Sequence, residues 1–423
     1  MRIWLVTVGE PLPVDPGPPR LMRTGLLAKT LASRGHQVLW WTSTFYHQQK
    51  QQRSHCDTDV CTNDGYRIKM LWGPSYRRNV SISRFANHLV VAKRFALNAA
   101  KEDIPNLILC SLPTLELSIV ATRYGKEHGV PVVLDIRDLW PDALREDLGE
   151  PLRWFAAPLL AYMRRQAKRA CRAATAICAS NPGFVEWGLE LAQRGATDYD
   201  QAFPLGYSSE PPPESKLREA EAFWAEHGIG RDGVFTACFV GTMSRVAEID
   251  TVVEAAKLLQ SKGREIRFVL CGTGENLQRW QMMANGCRNV LFPGWVNAAQ
   301  VWSLLRISQV GLVPYRSRWD FTLSMPNKPI EYLSAGLPIV SSLKGYLQRV
   351  LTSAKCGLHY ENGDHEGLAA ALSRLQDNPG ELAEMARNAI ALYKEKYEAE
   401  KVYGDMSSHL EHIASCERLY NVV

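Results

Sequence analysis

Short runs of β-branched and apolar residues alternate with helical stretches along this chain, and the alternation runs through twice. In the first half, "IWLVTV" leads through a Pro/Gly loop (Gly9–Pro19) into a helix ending near Arg34, and "RGHQVLWWTS" returns as a strand. "NLILCSLP", a helix to His128, "VPVVLDIRDLW" and "ATAICAS" continue the pattern. Strand, helix, strand in that order predicts parallel sheets, because parallel neighbours need a crossover long enough to hold a helix. A proline-rich polar segment, "FPLGYSSEPPPES" (Phe203–Ser215), reads as an interdomain linker. Beyond it come "VFTACFVG", a helix over Asp250–Lys262, "IRFVLCGTG", "VLFPGW", a helix over Ala298–Arg306 and "VGLVPY". Helical sequence then fills Glu366–Lys396. The expectation is an α/β protein of two Rossmann-like, doubly wound domains, residues 1–205 and 206–397, facing each other across a cleft at the carboxyl ends of their strands. Residues 398–423 are expected to form a helix packing back on the first domain.

The length, 423 residues, suits two such domains. With 46% hydrophobic and 22% charged residues the composition is that of an ordinary globular protein. "WFAAPLLAYM" (Trp154–Met163) is the longest apolar run, about half of what spans a bilayer. The chain opens straight into a strand, so no secretory leader is expected. Ten cysteines without a CxxC pair suggest neither a zinc site nor a disulfide framework, and reduced thiols point to a cytoplasmic setting. Charge is uneven. Residues 1–205 carry 26 Lys and Arg against 19 Asp and Glu, a net +7, while the remainder carries 23 against 25, a net −2. The surplus lies in "YRRNVSISRFANHLVVAKRFALNAAK" (Tyr76–Lys101) and "YMRRQAKRACR" (Tyr162–Arg172), both patterned as amphipathic helices. A solvated basic face is the plain reading. Contact with an anionic membrane surface, on the inner face of the cytoplasmic membrane, is the second, and no motif accompanies the charge that would point to nucleic acid.

"SMPNKPIEYLSAGLPIV" (Ser324–Val340) crowds two prolines, a lysine and one glutamate before an apolar run. Pro326 and Pro329 fit only the first turn of a helix, and Gly336 with Pro338 ends it, so a helix is predicted from Asn327 with "PIVSS" as the next strand. That places Glu331 near a helix N-terminus, where a carboxylate complements the dipole or accepts two sugar hydroxyls.

Other phosphate-binding signatures are missing. After the first strand there is Gly9 but no G-x-G-x-x-G, and "CGTGENL" offers Gly272 and Gly274 with Leu at position 277. There is no P-loop. "DTD" (Asp57–Asp59) has the look of a metal-binding triplet but lies in the polar stretch "QQKQQRSHCDTDVCTNDG", and reads as a surface loop.

Taken in order, "LLAKTLASRGHQV", "LDIRDLWPD", "FVGTMSRVAEIDTVVEAA", "CGTGENL", "FPGWV" and "PNKPIEYLSAGLPIV" resemble the retaining glycosyltransferases of the GT-B fold, family 4. Within that family the chain is most similar to bacterial cell-surface polysaccharide transferases, including those handling N-acetyl-fucosamine-type sugars. The resemblance covers nearly the whole chain. It implies a sugar moved from a nucleoside-diphosphate donor to a saccharide or lipid-linked acceptor, without metal or cofactor. Relatives bear two glutamates eight positions apart; Glu331 matches the second, which grips the donor ribose, while the first falls at Leu323. This departure shifts the holding of the donor sugar to backbone around Ser324 and Met325, with Asn327 and Lys328. The usual basic pair for the diphosphate falls at Thr242 and Ala247, so Arg245 in the loop after Gly241 is the candidate replacement. A diphosphate leaving group needs positive charge in the transition state, and without a metal Arg, Lys and a helix N-terminus must supply it. By the same resemblance Gly272 and Gly274 lie beside the nucleotide, and backbone near Val296 meets the base. Asp138 falls near the reacting centre and Arg137 where many relatives carry histidine; as a residue, Asp138 reads equally as a proton acceptor or a helix cap. Gly9 and His47 fall on the acceptor or phosphate side. No covalent nucleophile is evident, so a same-face mechanism assisted by the leaving diphosphate is expected. A GT-B nucleotide-sugar epimerase and a non-catalytic sugar-nucleotide binder remain the alternatives.

Overall fold

Every central strand is apolar at nearly every position, because each sheet is covered by helices on both faces. The computed structural model describes residues 1–16, 21–78 and 81–420, the side chains of residues 147, 150 and 417–420 aside. Residues 17–19 of the Gly9–Pro19 loop, and Asn79 and Val80 of the first basic stretch, lie outside the described residues. Two compact units divide the chain: Met1–Leu205 with Ala399–Val423, and Gly206–Glu398.

The first unit runs β1 (Arg2–Val6), α1 (Arg23–Ser33), β2 (Gln37–Ser43), β3 (Phe45–Tyr46), β4 (Gln51–Gln52), β5 (Thr58–Cys61), β6 (Arg67–Leu71) and α2 (Ile82–Ala99). It continues with β7 (Leu107–Leu112), α3 (Leu115–His128), β8 (Val132–Ile136), α4 (Asp142–Asp147), α5 (Glu150–Ala173), β9 (Ala176–Ala179), α6 (Pro182–Ala192) and β10 (Gln201–Ala202). Its main sheet has the order β10-β9-β8-β7-β1-β2-β6-β5, parallel except for the β5–β6 pair. Strand alternation sends Ile3 and Leu5 to one face and Trp4 to the other. On the first face Ile3, Leu5 and Trp40 share a core with Leu27 and Leu31 of α1 and with Tyr403, Met406, Leu410 and Ile413 of the C-terminal helix, Ala399–Tyr420. On the second, Trp4 meets Trp41 edge-on at 5.1 Å and both reach Phe95 of α2.

The second unit contains α7 (Glu214–Glu226), β11 (Phe235–Val240), α8 (Ile249–Ser261), β12 (Ile266–Cys271), α9 (Leu277–Met283), β13 (Val290–Gly294), α10 (Ala298–Ile307) and β14 (Val310–Val313). Then follow α11 (Trp319–Thr322), α12 (Asn327–Ser334), β15 (Ile339–Ser341), α13 (Tyr346–Ala354), β16 (Gly357–His359), α14 (His365–Asp377) and α15 (Pro379–Lys396). Its sheet, β13-β12-β11-β14-β15-β16, is parallel throughout.

Three sequence expectations change. "DTD" is not a loop: Thr58 and Asp59 pair with Met70 and Lys69 across the β5–β6 ladder. Its acids are neutralised locally, Asp57 by Arg94 and Asp59 by Arg67, so the triplet serves sheet-edge ion pairs. The alternating Thr58–Cys61 pattern is too short and polar to be seen as a strand beside its glutamines. The helical stretch over residues 366–396 is two helices, broken at Asn378 because Pro379 can only begin a helix. The proline-rich linker is also shorter than its composition suggests. Phe203 is buried in the first unit, Tyr207 is held in the second, its N–H donating to Tyr397 O and its carbonyl accepting from the Tyr393 hydroxyl, and α7 begins at Glu214.

Candidate active site

In the second unit the chain order reverses between β11 and β14, which are neighbours in the sheet. Loops leaving neighbouring strands on opposite sides of such a switch point open a crevice at the carboxyl ends, where wound sheets take ligands. The loop after β11 holds Gly241 and Arg245; the segment after β14 leads to Ser324, Met325 and α12.

Helix α12 starts at Asn327, with Pro326 as N-cap and Pro329 in its first turn. It stops through a left-handed Gly336 (φ 73°), whose N–H reaches Leu333 O while Leu337 N–H reaches Tyr332 O. Tyr332, fully buried, fixes the helix against the switch point: its hydroxyl accepts from Val240 N–H at 3.1 Å, and its ring fills the space a Cβ on Gly311 would need. One residue earlier, Glu331 is 1% exposed. Its two carboxylate oxygens each accept from Lys328 Nζ at 3.1 Å. The Lys328 charge also acts on Cys238 in β11 and Cys271 at the end of β12, although burial dominates and pushes both thiols upward. A buried carboxylate and an ammonium thus stand side by side at the strand ends.

The neighbouring loops are zipped together. Met243 N–H donates to Thr273 O at 2.9 Å and Asn276 N–H to Met243 O at 3.0 Å. A Cβ on Gly272 (φ 140°) would sit 1.8 Å from Gly241 O, and one on Gly274 would sit 2.4 Å from Met243 O. The two glycines are therefore required by close approach of one loop to the other, a reason independent of any nucleotide. Gly272 N–H is also taken by Gly294 O at 2.7 Å, which ties the "FPGWV" segment to the same edge and leaves Val296 buried before the capping box of α10. Arg245 is 90% exposed and reaches Glu275 at 3.3 Å, a solvent-facing pair that holds little energy. Asn327 is exposed and Met325 buried. Ser324 N–H donates to Phe321 O at 3.2 Å, so this amide is already used within the turn that follows α11.

In the first unit the order reverses between β1 and β7, and the Thr7 and Ser111 hydroxyls meet there at 2.7 Å. Gly9 (φ 90°) lies in the loop after β1, and Gln48 Nε2 donates to its carbonyl at 2.6 Å. A Cβ on Gly9 would lie 3.8 Å from the His47 Cβ, so these two candidates are adjacent. His47 Nδ1 is 2.6 Å from the Tyr76 hydroxyl and 3.3 Å from Lys50 Nζ. Burial, assisted by the charges of Arg84, Lys50 and His88, lowers the His47 pKa to about 4, so its imidazole is neutral at neutral pH. Arg84 lies 5.9 Å over Tyr76 and 4.5 Å over Trp140. Its pKa is lowered by burial, against which Tyr76, Asp138 and Glu116 act. Asp138 is half-buried in the loop after β8, and its Oδ1 accepts from Leu139 N–H at 2.8 Å. Helix α4 starts later, at Asp142, with Pro141 as N-cap and no side-chain cap. Lys50, Tyr76, Arg84 and Trp140 are thus brought beside His47 and Asp138. Sequence spacing gave no sign of this grouping, although Arg84 stands out as one of the basic residues.

Arg137 turns the other way. Its guanidinium pairs with Asp135, with Glu10 at 2.9 Å and with Thr24 Oγ1 at 3.1 Å. Asp135, fully buried, also takes a two-pronged pair from Arg23 at 2.9 and 3.0 Å. Burial alone would raise the Asp135 pKa, but Arg137 and Arg23 outweigh it and hold it at about 2. Arg23 reaches Phe203 O and Pro204 O as well. Two arginines against two carboxylates form a neutral buried network that joins the Gly9 loop, α1 and the Asp138 loop. Arg137 is held within this network by Asp135, Glu10 and Thr24.

Among the described residues no group of three or more His, Cys, Asp and Glu is arranged to hold a metal ion.

Residues 226–392 match the family described as "Glycosyl transferases group 1". No curated protein matches the chain in sequence. Solved structures match it from end to end. Sucrose-phosphate synthase from Thermosynechococcus elongatus aligns with TM-score 0.73 at 16% identity, over 98% of this chain and 99% of that one. Anabaena HepE in complex with UDP gives 0.65 at 13%, over 97% and 99%. WaaG, a glycosyltransferase involved in lipopolysaccharide biosynthesis, gives 0.60 at 17%, over 97% and 99%. The chain has the GT-B fold. The matched stretch contains both Lys328 and Glu331; it begins where α7 ends and closes within α15. The first GT-B unit, with Gly9, His47 and Asp138, lies outside that match.

Proposed function

We propose that this chain is a glycosyltransferase that moves a sugar from a nucleoside-diphosphate sugar to an acceptor hydroxyl with retention of configuration, in the assembly of a cell-surface polysaccharide or glycolipid. The observation that carries the reading is the buried Glu331 carboxylate, paired with Lys328 on the first turns of α12 at the switch point of the group 1 domain. A carboxylate shielded from water accepts two vicinal hydroxyls well, as a ribose presents them. The adjoining ammonium and the N-terminus of α12 suit the diphosphate. HepE, solved with UDP and with UDP-glucose, supports a nucleotide-sugar donor.

In this reading the bond from the sugar's anomeric carbon to the diphosphate breaks, and its electron pair leaves with the diphosphate, where Lys328 and the exposed Arg245 receive the charge. The acceptor oxygen forms the new bond on the same face. Its proton passes to the departing phosphate oxygen or to Asp138. Gly9, His47, Lys50 and Arg84 belong to the acceptor side, and a lipid-linked saccharide is the proposed acceptor.

A thermal-shift panel of UDP, GDP, ADP and dTDP sugars tests donor binding, since a ligand that binds only the folded protein raises its melting temperature. One donor is expected to stand out, and Glu331→Gln is expected to weaken it by roughly 2 kcal/mol, about 30-fold, through loss of charged acceptors in a buried site. An unchanged affinity would leave Glu331 as a partner for Lys328 and the helix dipole alone. Transfer is also expected to survive EDTA, the leaving charge being met by Lys328, Arg245 and α12. Complete loss of transfer on chelation, with recovery on adding magnesium or manganese, contradicts this.

A further inference from the structure

A surface helix of a globular domain hides an apolar stripe against its neighbours, but the first half of α5 hides its stripe only in part, at the half-buried Arg153, Ala156 and Leu160. From Pro151 to Tyr162 no residue is buried. Trp154 and Phe155 stand 83% and 86% exposed, with Leu152, Leu159 and Tyr162 exposed beside them. Spacings of three and four put Leu152, Phe155, Leu159 and Tyr162 on one line of the helix, with Trp154 at its flank. The same line continues through Arg165, Arg169 and Arg172, all exposed. Only the second half of α5 packs conventionally, through Met163, Ala167, Ala170 and Cys171. Isolated exposed apolar residues need no explanation, whereas three aromatics and two leucines grouped on one helix mark a surface built to be covered.

We propose that the first half of α5 inserts into the interfacial layer of a bilayer bearing anionic headgroups, with Trp154 and Phe155 entering the acyl boundary and Arg165 and Arg169 staying among the headgroups. The charge of the stripe selects the occupant. Aromatic and aliphatic residues followed by arginines along one face match the profile of a helix lying in a membrane surface. A protein partner would have to meet an unbroken basic line with acids at matching intervals. Charge alone does not account for docking by this unit. Arg164 is tied to Asp142, Arg94 to Asp57, and Arg84 is stacked between Tyr76 and Trp140. No described helix is long and apolar enough to cross a membrane, so the attachment is peripheral. This inference does not rest on the donor site, and its test needs no nucleotide.

The test is co-sedimentation with phosphatidylcholine–phosphatidylglycerol vesicles, against pure phosphatidylcholine, at about 0.1 M and about 1 M salt. Raising the salt shortens the Debye length from about 10 Å to about 3 Å, which removes attachment by charge alone. The wild type is expected to bind the anionic vesicles at low salt and to keep part of that binding at high salt. The double variant Trp154→Ser/Phe155→Ser is expected to bind roughly 10- to 100-fold more weakly at both. Arg165→Glu/Arg169→Glu is expected to lose the preference for anionic over neutral vesicles. Both double variants change exposed side chains and are expected to melt with the wild type, which calorimetry checks. Absence of wild-type binding, or equal binding by the serine variant, overturns the proposal. So does a lipid-free dimer by sedimentation velocity that depends on Trp154 and Phe155 without vesicle binding, because it assigns the face to a second copy.

Discussion

Asp138→Asn is expected to lower the turnover number by roughly 10²- to 10⁴-fold, the usual contribution of a positioned proton acceptor, while leaving donor affinity within experimental error. Asparagine keeps the shape and an oxygen to accept from Leu139 N–H, as Asp138 Oδ1 does now, so the loop after β8 should hold its form. What disappears is the negative charge beside Arg84 and the capacity to take a proton. The measurement is steady-state transfer with the donor selected by thermal shift, beside calorimetric titration of the same donor. Turnover within about threefold of wild type would remove Asp138 from the chemistry and leave the leaving phosphate as the proton's destination.

The second large effect is on stability. Arg23→Ala is expected to cost about 3–5 kcal/mol, because it strips the buried Asp135 of one of its two guanidinium partners. In a unit of this size that lowers the melting temperature by roughly 10 °C, read by differential scanning calorimetry. The double change Arg23→Met/Asp135→Leu should cost less than the two single changes added together, since neither charge is then stranded. A loss below about 1 kcal/mol for Arg23→Ala would mean that Arg137 alone satisfies Asp135. The pH dependence has a definite sign. The Asp135 pKa is depressed from 3.8 to about 2, so its stabilisation is fully present above pH 3.8 and is lost as the pH falls through about 2.

This network shows where sequence reasoning stopped. Local signals were strong for the wound sheets: α3 ends at His128 and α12 begins at Asn327, both where glycine or proline placement put them. Glu331 was legible for the same reason, since two prolines fix its distance from the helix start. Arg137 was not. Nothing within a few residues of it tells that its guanidinium turns inward to Glu10, 127 positions away, instead of standing in the site. The grouping of Lys50, Tyr76, Arg84 and Trp140 beside His47 was hidden likewise, because it is assembled from three separate loops and a helix N-terminus. The glycines of "CGTGENL" were visible, but their reason lies in a carbonyl on another loop, 1.8 Å from where a Cβ on Gly272 would sit. The polar Thr58–Cys61 strand was missed because pairing with β6, not its own propensity, makes it a strand.

The central claim is that this chain transfers sugar from a nucleoside-diphosphate donor to an acceptor. Chromatographic release of nucleoside diphosphate, from the donor picked out by thermal shift, tests it most directly when run with and without a lipid-linked saccharide extract. The account predicts release that depends on the extract, appears together with a glycosylated lipid in mass spectrometry, and falls sharply in Glu331→Gln. Donor binding with no nucleoside diphosphate released under either condition, or release that is the same without acceptor, contradicts it.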